Sequence, residues 1–289
     1  LLALIDKPLP QVAQETIGAY FADADMLGRR TAQMHAALAS RDDVPAFAPE
    51  PFTPHYQRSI YQSIRTQSVQ ALQLVRRRIR VIPSREDGEE SPARLRGGDP
   101  SRSTALGMTY AEELLAREHE LQQRFRRVLD GRIAGLRIRT HGDYHLGQVL
   151  RTGNDFVIID FEGEPSRPLS ERRIKRSALR DVAGMLRSFH YAPYAVVHGQ
   201  SQGSVIRSED LAALESGARF WHRWVSAVFL RAYLDESGDA AHLPRTRDEL
   251  RVLLDAYLLE KALYEIVYEL NNRPEWVSIP LRGVLDLLG

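Results

Sequence analysis

The stretch RTHGDYHLGQVLRTGNDFVIIDFEGEP, residues 139–165, sets Asp143, Gln148, Asp160 and Glu162 together with His141 and His145, beside two short apolar runs. Carboxylate and amide oxygens are hard donors, the kind that suits Mg²⁺. Mg²⁺ held by few protein oxygens points to phosphate chemistry, in which a base orients a hydroxyl and the metal offsets charge. One acidic residue in such a stretch would read as a turn former. Two carboxylates are also the equipment of a glycosidase, with Asp143 and Asp160 as acid and base.

For these groups to meet, the backbone between them must fold back. LRIRTHG alternates apolar and polar residues, GQVLRTG is short and apolar, and DFVIIDF is rich in β-branched residues. Such runs predict strands, with a tight turn at Gly153-Asn154 between the last two. HGDYHLGQ then forms a loop, and the hairpin returns Asp160 towards Asp143. The rest reads as helix by its apolar spacing of three and four, over 17–39, 57–80, 110–131, 176–192, 209–234 and 247–272. Residues 42–56 carry four prolines and read as a connection, and residues 83–106 as a solvated, mobile loop. The predicted fold is α+β: a mostly helical body with one small β hairpin.

Composition narrows the partners. Of 289 residues, 43% are hydrophobic and 27% charged, a globular balance, and the formal charge of +1 gives no reason to expect nucleic acid. No apolar run approaches the roughly 20 residues of a membrane helix. The absence of cysteine excludes disulfides and thiolate metal sites and is compatible with the cytoplasm. Only Lys7, Lys175 and Lys261 are lysines, so few residues can fill a role that requires one.

His141, Asp143 and, five residues beyond that aspartate, Gln148 resemble the H-x-D-x-x-x-x-N catalytic loop of protein-kinase-like phosphotransferases. Asp160-Phe161-Glu162 stands where those enzymes have D-F-G. Within the superfamily, HGDYHLGQVL, IIDFEGEP, RRIKRSALRDVAGMLRSFHYA and LLEKALYEIVYELNNRPEWVSIPLRGV resemble the maltokinases. PEPFTPHYQRSIYQSIR resembles the form found fused to trehalose synthase. The resemblance implies ATP and Mg²⁺ as cofactors, maltose as acceptor, maltose 1-phosphate as product, and trehalose synthase as a fused or associated partner, in the cytoplasm. It implies Asp143 as catalytic base, Gln148 and Asp160 as metal and nucleotide ligands with Glu162 as a further metal ligand, and His141 and Asp181 as supports of the loop. An aminoglycoside or small-alcohol phosphotransferase is the neighbouring alternative, and a non-catalytic assembly lobe a third.

On the last long helix Tyr257, Lys261, Tyr264 and Tyr268 follow at steps of four, three and four, which places them on one side. With His145, Glu265, Asn272 and Arg273 they form the expected sugar face, since tyrosines offer a flat apolar surface with a polar tip. The sequence lacks an initiator Met, and neither a glycine-rich phosphate loop nor a lysine-bearing strand precedes the catalytic loop. The expectation is that residues 1–289 form the C-terminal lobe of a maltokinase domain, without its N-terminal lobe and inactive alone.

Overall fold

The computed structural model describes residues 1–81, 100–197 and 210–289. Its helices are α1 Gln11–Ile17, α2 Tyr20–Leu38, α3 Pro54–Val81, α4 Pro100–Ala116, α5 Glu118–Arg126, α6 Leu169–Arg172, α7 Leu179–Val197, α8 Leu211–Ser237, α9 Arg247–Asn272 and α10 Ser278–Leu288. Four short strands, β1 Glu50–Pro51, β2 Leu136–Arg137, β3 Val149–Thr152 and β4 Asp155–Ile158, pair as two separate antiparallel sheets. The mostly helical α+β reading holds.

Helix α9 is the central beam. Thr246 caps it by accepting a hydrogen bond from the Glu249 amide at 3.2 Å. Glu249 does not close a reciprocal box; its carboxylate accepts from Ala134 N at 2.9 Å and so fixes the segment leading into β2. Leu250, Leu253, Leu254, Leu258, Leu259, Leu263 and Ile266 are all buried, against α3, α7 and α10. Each such side chain stabilises the fold by about 1.5–3 kcal/mol. Helices α2 and α8 lie close enough that a Cβ on Gly28 would stand 2.4 Å from the Phe229 carbonyl oxygen. No larger residue fits there without moving a helix.

Three expectations are corrected. Only Leu136–Arg137 of LRIRTHG forms a strand, and its partner is Glu50–Pro51, inside the stretch read as a connection. Ile138 then makes a single bridge to Arg176, and the pairing stops there, before the turn at Gly142 with φ 88°. The helix expected over 110–131 breaks at Arg117, whose amide is shared between the Glu113 and Leu114 carbonyls. Of the loop expected over 83–106, residues 83–99 lie outside the described residues, and 100–106 are helical. Helix α4 starts at Pro100, a residue preorganised for a first helical position. The hairpin forms as expected, with Val149 opposite Ile158 and Thr152 opposite Asp155 across Gly153-Asn154.

The loop of residues 141–148, between β2 and β3, is tied down at both ends and in the middle. Asp181 of α7 accepts from the amides of His141 at 2.7 Å and Gly142 at 3.0 Å. His35 of α2 donates to the same carboxylate at 3.2 Å, with the Tyr233 hydroxyl 3.0 Å from its other nitrogen. Tyr144 is buried and its hydroxyl lies 2.8 Å from that of Thr31, while Leu146 N donates to Ser188 at 3.1 Å. Gly184 leaves room for the Tyr144 carbonyl, which would stand 2.6 Å from a Cβ. The His141 ring donates from Nε2 to the Ile159 carbonyl at 2.8 Å, joining the loop to the end of β4.

Burial pushes the Asp181 carboxyl up, but His35 and the amide of Gly142 outweigh it and hold it below the ordinary carboxylate value. Its contribution to stability is therefore complete above that ordinary value and is lost only as pH falls through the lowered one. Asp181→Ala strips two buried amides and an imidazole of their acceptor and should cost about 3–5 kcal/mol. Denaturant unfolding measures this; a loss below about 1 kcal/mol would mean that the loop is held by its other tethers.

Candidate active site

Asp143 stands on this loop at the floor of a cleft walled by α9, with its side chain 16% exposed. One carboxylate oxygen lies 3.8 Å from Lys261 Nζ and the other 3.8 Å from His145 Nε2. Burial pushes the Asp143 carboxyl up; Lys261 pulls it back, and the neighbouring carboxylate of Glu164 pushes it further. His145 Nδ1 accepts from the Gly147 amide at 3.0 Å, so its Nε2 faces Asp143. Burial lowers the His145 imidazole, with Asp143 opposing the shift. The result is a largely desolvated carboxylate near one ammonium group, one polar ring and a second carboxylate, and lining the cleft. The cleft encloses about 30 Å³, room for a water molecule or two.

At the far end of the loop Gln148 donates its amide N–H to Asp160 Oδ2 at 3.0 Å. Asp160 has φ 64°, and among the described residues it is the one non-glycine position with positive φ. Aspartate tolerates this region better than most side chains, and strain of this kind gathers at functional sites. Phe161 follows, with its ring 5.0 Å from that of His141, and Glu162 is exposed. Among the described residues no group of three or more His, Cys, Asp or Glu side chains could enclose a metal. Gln148 and Asp160 nonetheless fit Mg²⁺, which takes few protein oxygens and completes its shell from phosphate and water.

Three of the four residues of the α9 stripe line the cleft, and the fourth lies just outside it. Lys261 and Tyr264 line the cleft, with the ammonium 4.9 Å from the Tyr264 ring centroid. Tyr257, though buried, lines the same cleft. Tyr268 is exposed and stacks on Tyr264, centroids 6.4 Å apart at 26°. Arg273 continues the row, 5.5 Å from the Tyr268 ring and 4.5 Å from that of Trp276, while pairing with Glu269 at 2.7 Å. Asn272 turns back to the Tyr268 carbonyl at 2.8 Å. Glu265 leaves the expected sugar face: it points into the protein and receives two hydrogen bonds from Arg187, at 2.9 and 2.7 Å. One position from Tyr264 is 100° of helical rotation, enough to move a side chain from cleft to core. Sequence reasoning missed Glu164, Arg167, Arg180 and Glu260, which also line the cleft. Glu164 lay within the opening stretch, but nothing in its spacing showed which way it points.

No protein-family model matches the chain. It is 28% identical over 274 residues to a glucosamine kinase of Streptacidiphilus jiangxiensis, covering 92% of this chain and 49% of the relative. It is 30% identical over 193 residues to a glucosamine kinase of Mycolicibacterium smegmatis, covering 64% of this chain and 43% of that one. The chain thus spans about half the length of the curated relatives it matches. A solved glucosamine kinase in complex with glucosamine, ADP and inorganic phosphate superposes with a TM-score of 0.68 at 24% identity, over 96% of this chain and 58% of that one. A second crystal form gives the same TM-score. The fold described above is similar to that of a little over half of the solved glucosamine kinase chain.

Proposed function

We propose that this chain carries the acceptor site of an ATP-dependent sugar kinase, with Asp143 as the base that orients the acceptor hydroxyl. The observation that carries this reading is the arrangement of one loop. It presents a largely desolvated carboxylate to the cleft at one end and the hydrogen-bonded Gln148–Asp160 pair at the other. Asp143 accepts the hydroxyl proton, and its raised affinity for protons favours that transfer. Lys261 and His145 keep the carboxylate in place. Gln148 and Asp160 would hold Mg²⁺, which when bound would neutralise charge on the nucleotide phosphates. Glu162, exposed and two residues on, is at most a ligand through water.

For the acceptor, we favour maltose. The maltokinase-like motifs support it, as does the row Tyr264–Tyr268–Arg273–Trp276, in which each group lies within 6.4 Å of the next and which starts at the cleft-lining Tyr264. The second reading is glucosamine, the acceptor in the relatives' name; Glu164 and Glu260 would suit its ammonium group. The full-length polypeptide containing this chain, assayed for ADP release with maltose, glucosamine, choline and kanamycin, separates the readings. Turnover with a sugar supports the kinase; turnover with choline or kanamycin alone, or sugar release without ATP, overturns it.

Within that polypeptide Asp143→Asn should keep acceptor affinity and lower kcat by about 10²–10⁴-fold; a loss under about threefold would remove Asp143 from the base role. Tyr264→Ala should weaken maltose binding in calorimetry while leaving the unfolding transition in place, and unchanged affinity would refute the sugar face. The acid limb of the kcat/KM profile should respond to charge with opposite signs. Lys261→Met removes the cation that favours the carboxylate and should move the limb to higher pH. Glu164→Gln removes the like charge and should move it to lower pH. Shifts of the same sign in both variants would mean that another group titrates.

A further inference from the structure

A second concave site lies away from the cleft, between the segment after β4 and the connection preceding β1. Its volume is about 780 Å³, within the range of small-molecule pockets. Arg137, Arg139, Arg173 and Lys175 line it, against the single carboxylate of Glu50. Glu50 is fully engaged: it accepts from Arg137 at 2.6 Å and from Lys175 at 2.9 Å, and the Lys175 bond holds its carboxyl below the usual range. Lys175 is buried and also donates to the Pro45 carbonyl at 2.7 Å. The Arg137 guanidinium lies 4.3 Å over the Tyr56 ring, so these two cations are fixed before any ligand arrives. Among the described residues no carboxylate pairs with Arg139 or Arg173. Phe47 and Ile174, both exposed, form an apolar wall beside them.

We propose that this pocket binds an organic phosphomonoester, with the phosphoryl group on Arg139 and Arg173 and the carbon body on Phe47 and Ile174. Two unpaired guanidinium groups next to a satisfied ion pair leave an excess of positive charge, and planar guanidinium groups match phosphate oxygens two at a time. The concave shape and apolar wall favour a small ligand over a polyanionic chain, which would need a groove with open ends. Arg139 lies two residues before His141, and Arg173 lies in the stretch from Asp160 to Asp181. A bound phosphate therefore bridges the segment between β2 and the loop of residues 141–148 and the segment leaving the Asp160 turn. This site is independent of which acceptor the cleft takes.

Calorimetric titration of the whole protein with phenyl phosphate and with inorganic phosphate, in chloride buffer, tests the proposal. Phenyl phosphate should bind about tenfold more tightly than inorganic phosphate, as burial of its ring requires. Arg173 is exposed, so Arg173→Ala should retain the fold, checked by its melting curve, and weaken both ligands by at least about tenfold. Phe47→Ala should abolish the advantage of phenyl phosphate, and Lys261→Ala should change neither affinity. The proposal is overturned by unchanged affinity in Arg173→Ala, by loss of binding in Lys261→Ala, or by no binding at millimolar concentration in the parent protein.

Discussion

The buried carboxylate of Asp181 is the constraint on which the site depends. An isolated carboxylate in a protein interior costs several kcal/mol, so its position is tolerable only where every partner is in place. Here the partners are the amides of His141 and Gly142 and the ring of His35, backed by Tyr233. Three helices and one loop must therefore agree on one geometry. On α2 the residues that secure it follow a single face: Gly28 permits contact with α8, Thr31 meets Tyr144, and His35 meets Asp181. Steps of three and four residues bring all three to the same side. The loop of residues 141–148 is held in one place because α7 supplies the acceptors for its amides and α2 and α8 fix the acceptor on Asp181.

The hairpin performs the second task, returning the chain so that residues 148 and 160 meet. Its register places Val149 opposite Ile158, and the Ile159 amide then donates to the Gln148 carbonyl at 3.0 Å, extending the pairing past the strand ends. Asp160 departs from that extension with a left-handed backbone. The turn of sign in φ directs its carboxylate back to the Gln148 amide instead of onward along the strand. A glycine would adopt the same φ at less cost but would bring no carboxylate.

These features differ in how far the sequence reveals them. The hairpin was legible because its signals are local: β-branched residues flanking a glycine-asparagine pair. Helix α9 was legible to the residue, since its apolar period runs unbroken from the Thr246 cap to Asn272. The two-residue pairing of β1 with β2 was not, because it joins segments more than 80 positions apart and has too few residues for a period. The juxtaposition of Gln148 with Asp160 followed from the turn, whereas the direction of Glu265 did not follow from the helix. A helix buried on nearly all sides has no polar face by which to orient it, and the residues of α9 that reach the cleft differ from those that reach Arg187 by one position in four.

Electrostatics explain why so many charges can share the cleft without loss of the fold. Glu260 lies 3.7 Å from Arg180, Arg167 lies 3.5 Å from Glu171, and Lys261 is shared between Asp143 and the Tyr264 ring. The Arg167–Glu171 pair lies at the surface and stabilises the protein by no more than about 1 kcal/mol, whereas Arg180 and Glu260 are largely buried, so each needs the other to offset its loss of hydration. Their joint effect is to leave the Asp143–Glu164 carboxylate pair balanced by one ammonium group. A pair of like charges with a single counter-ion holds a proton more readily than either carboxylate alone. The same balance makes the cleft receptive to a hydroxyl, which can donate to Asp143 without disturbing any of the surrounding pairs. A bound cation would compete with Lys261, and a bound anion would meet Glu164, so the charge pattern at Asp143 favours a neutral reacting group.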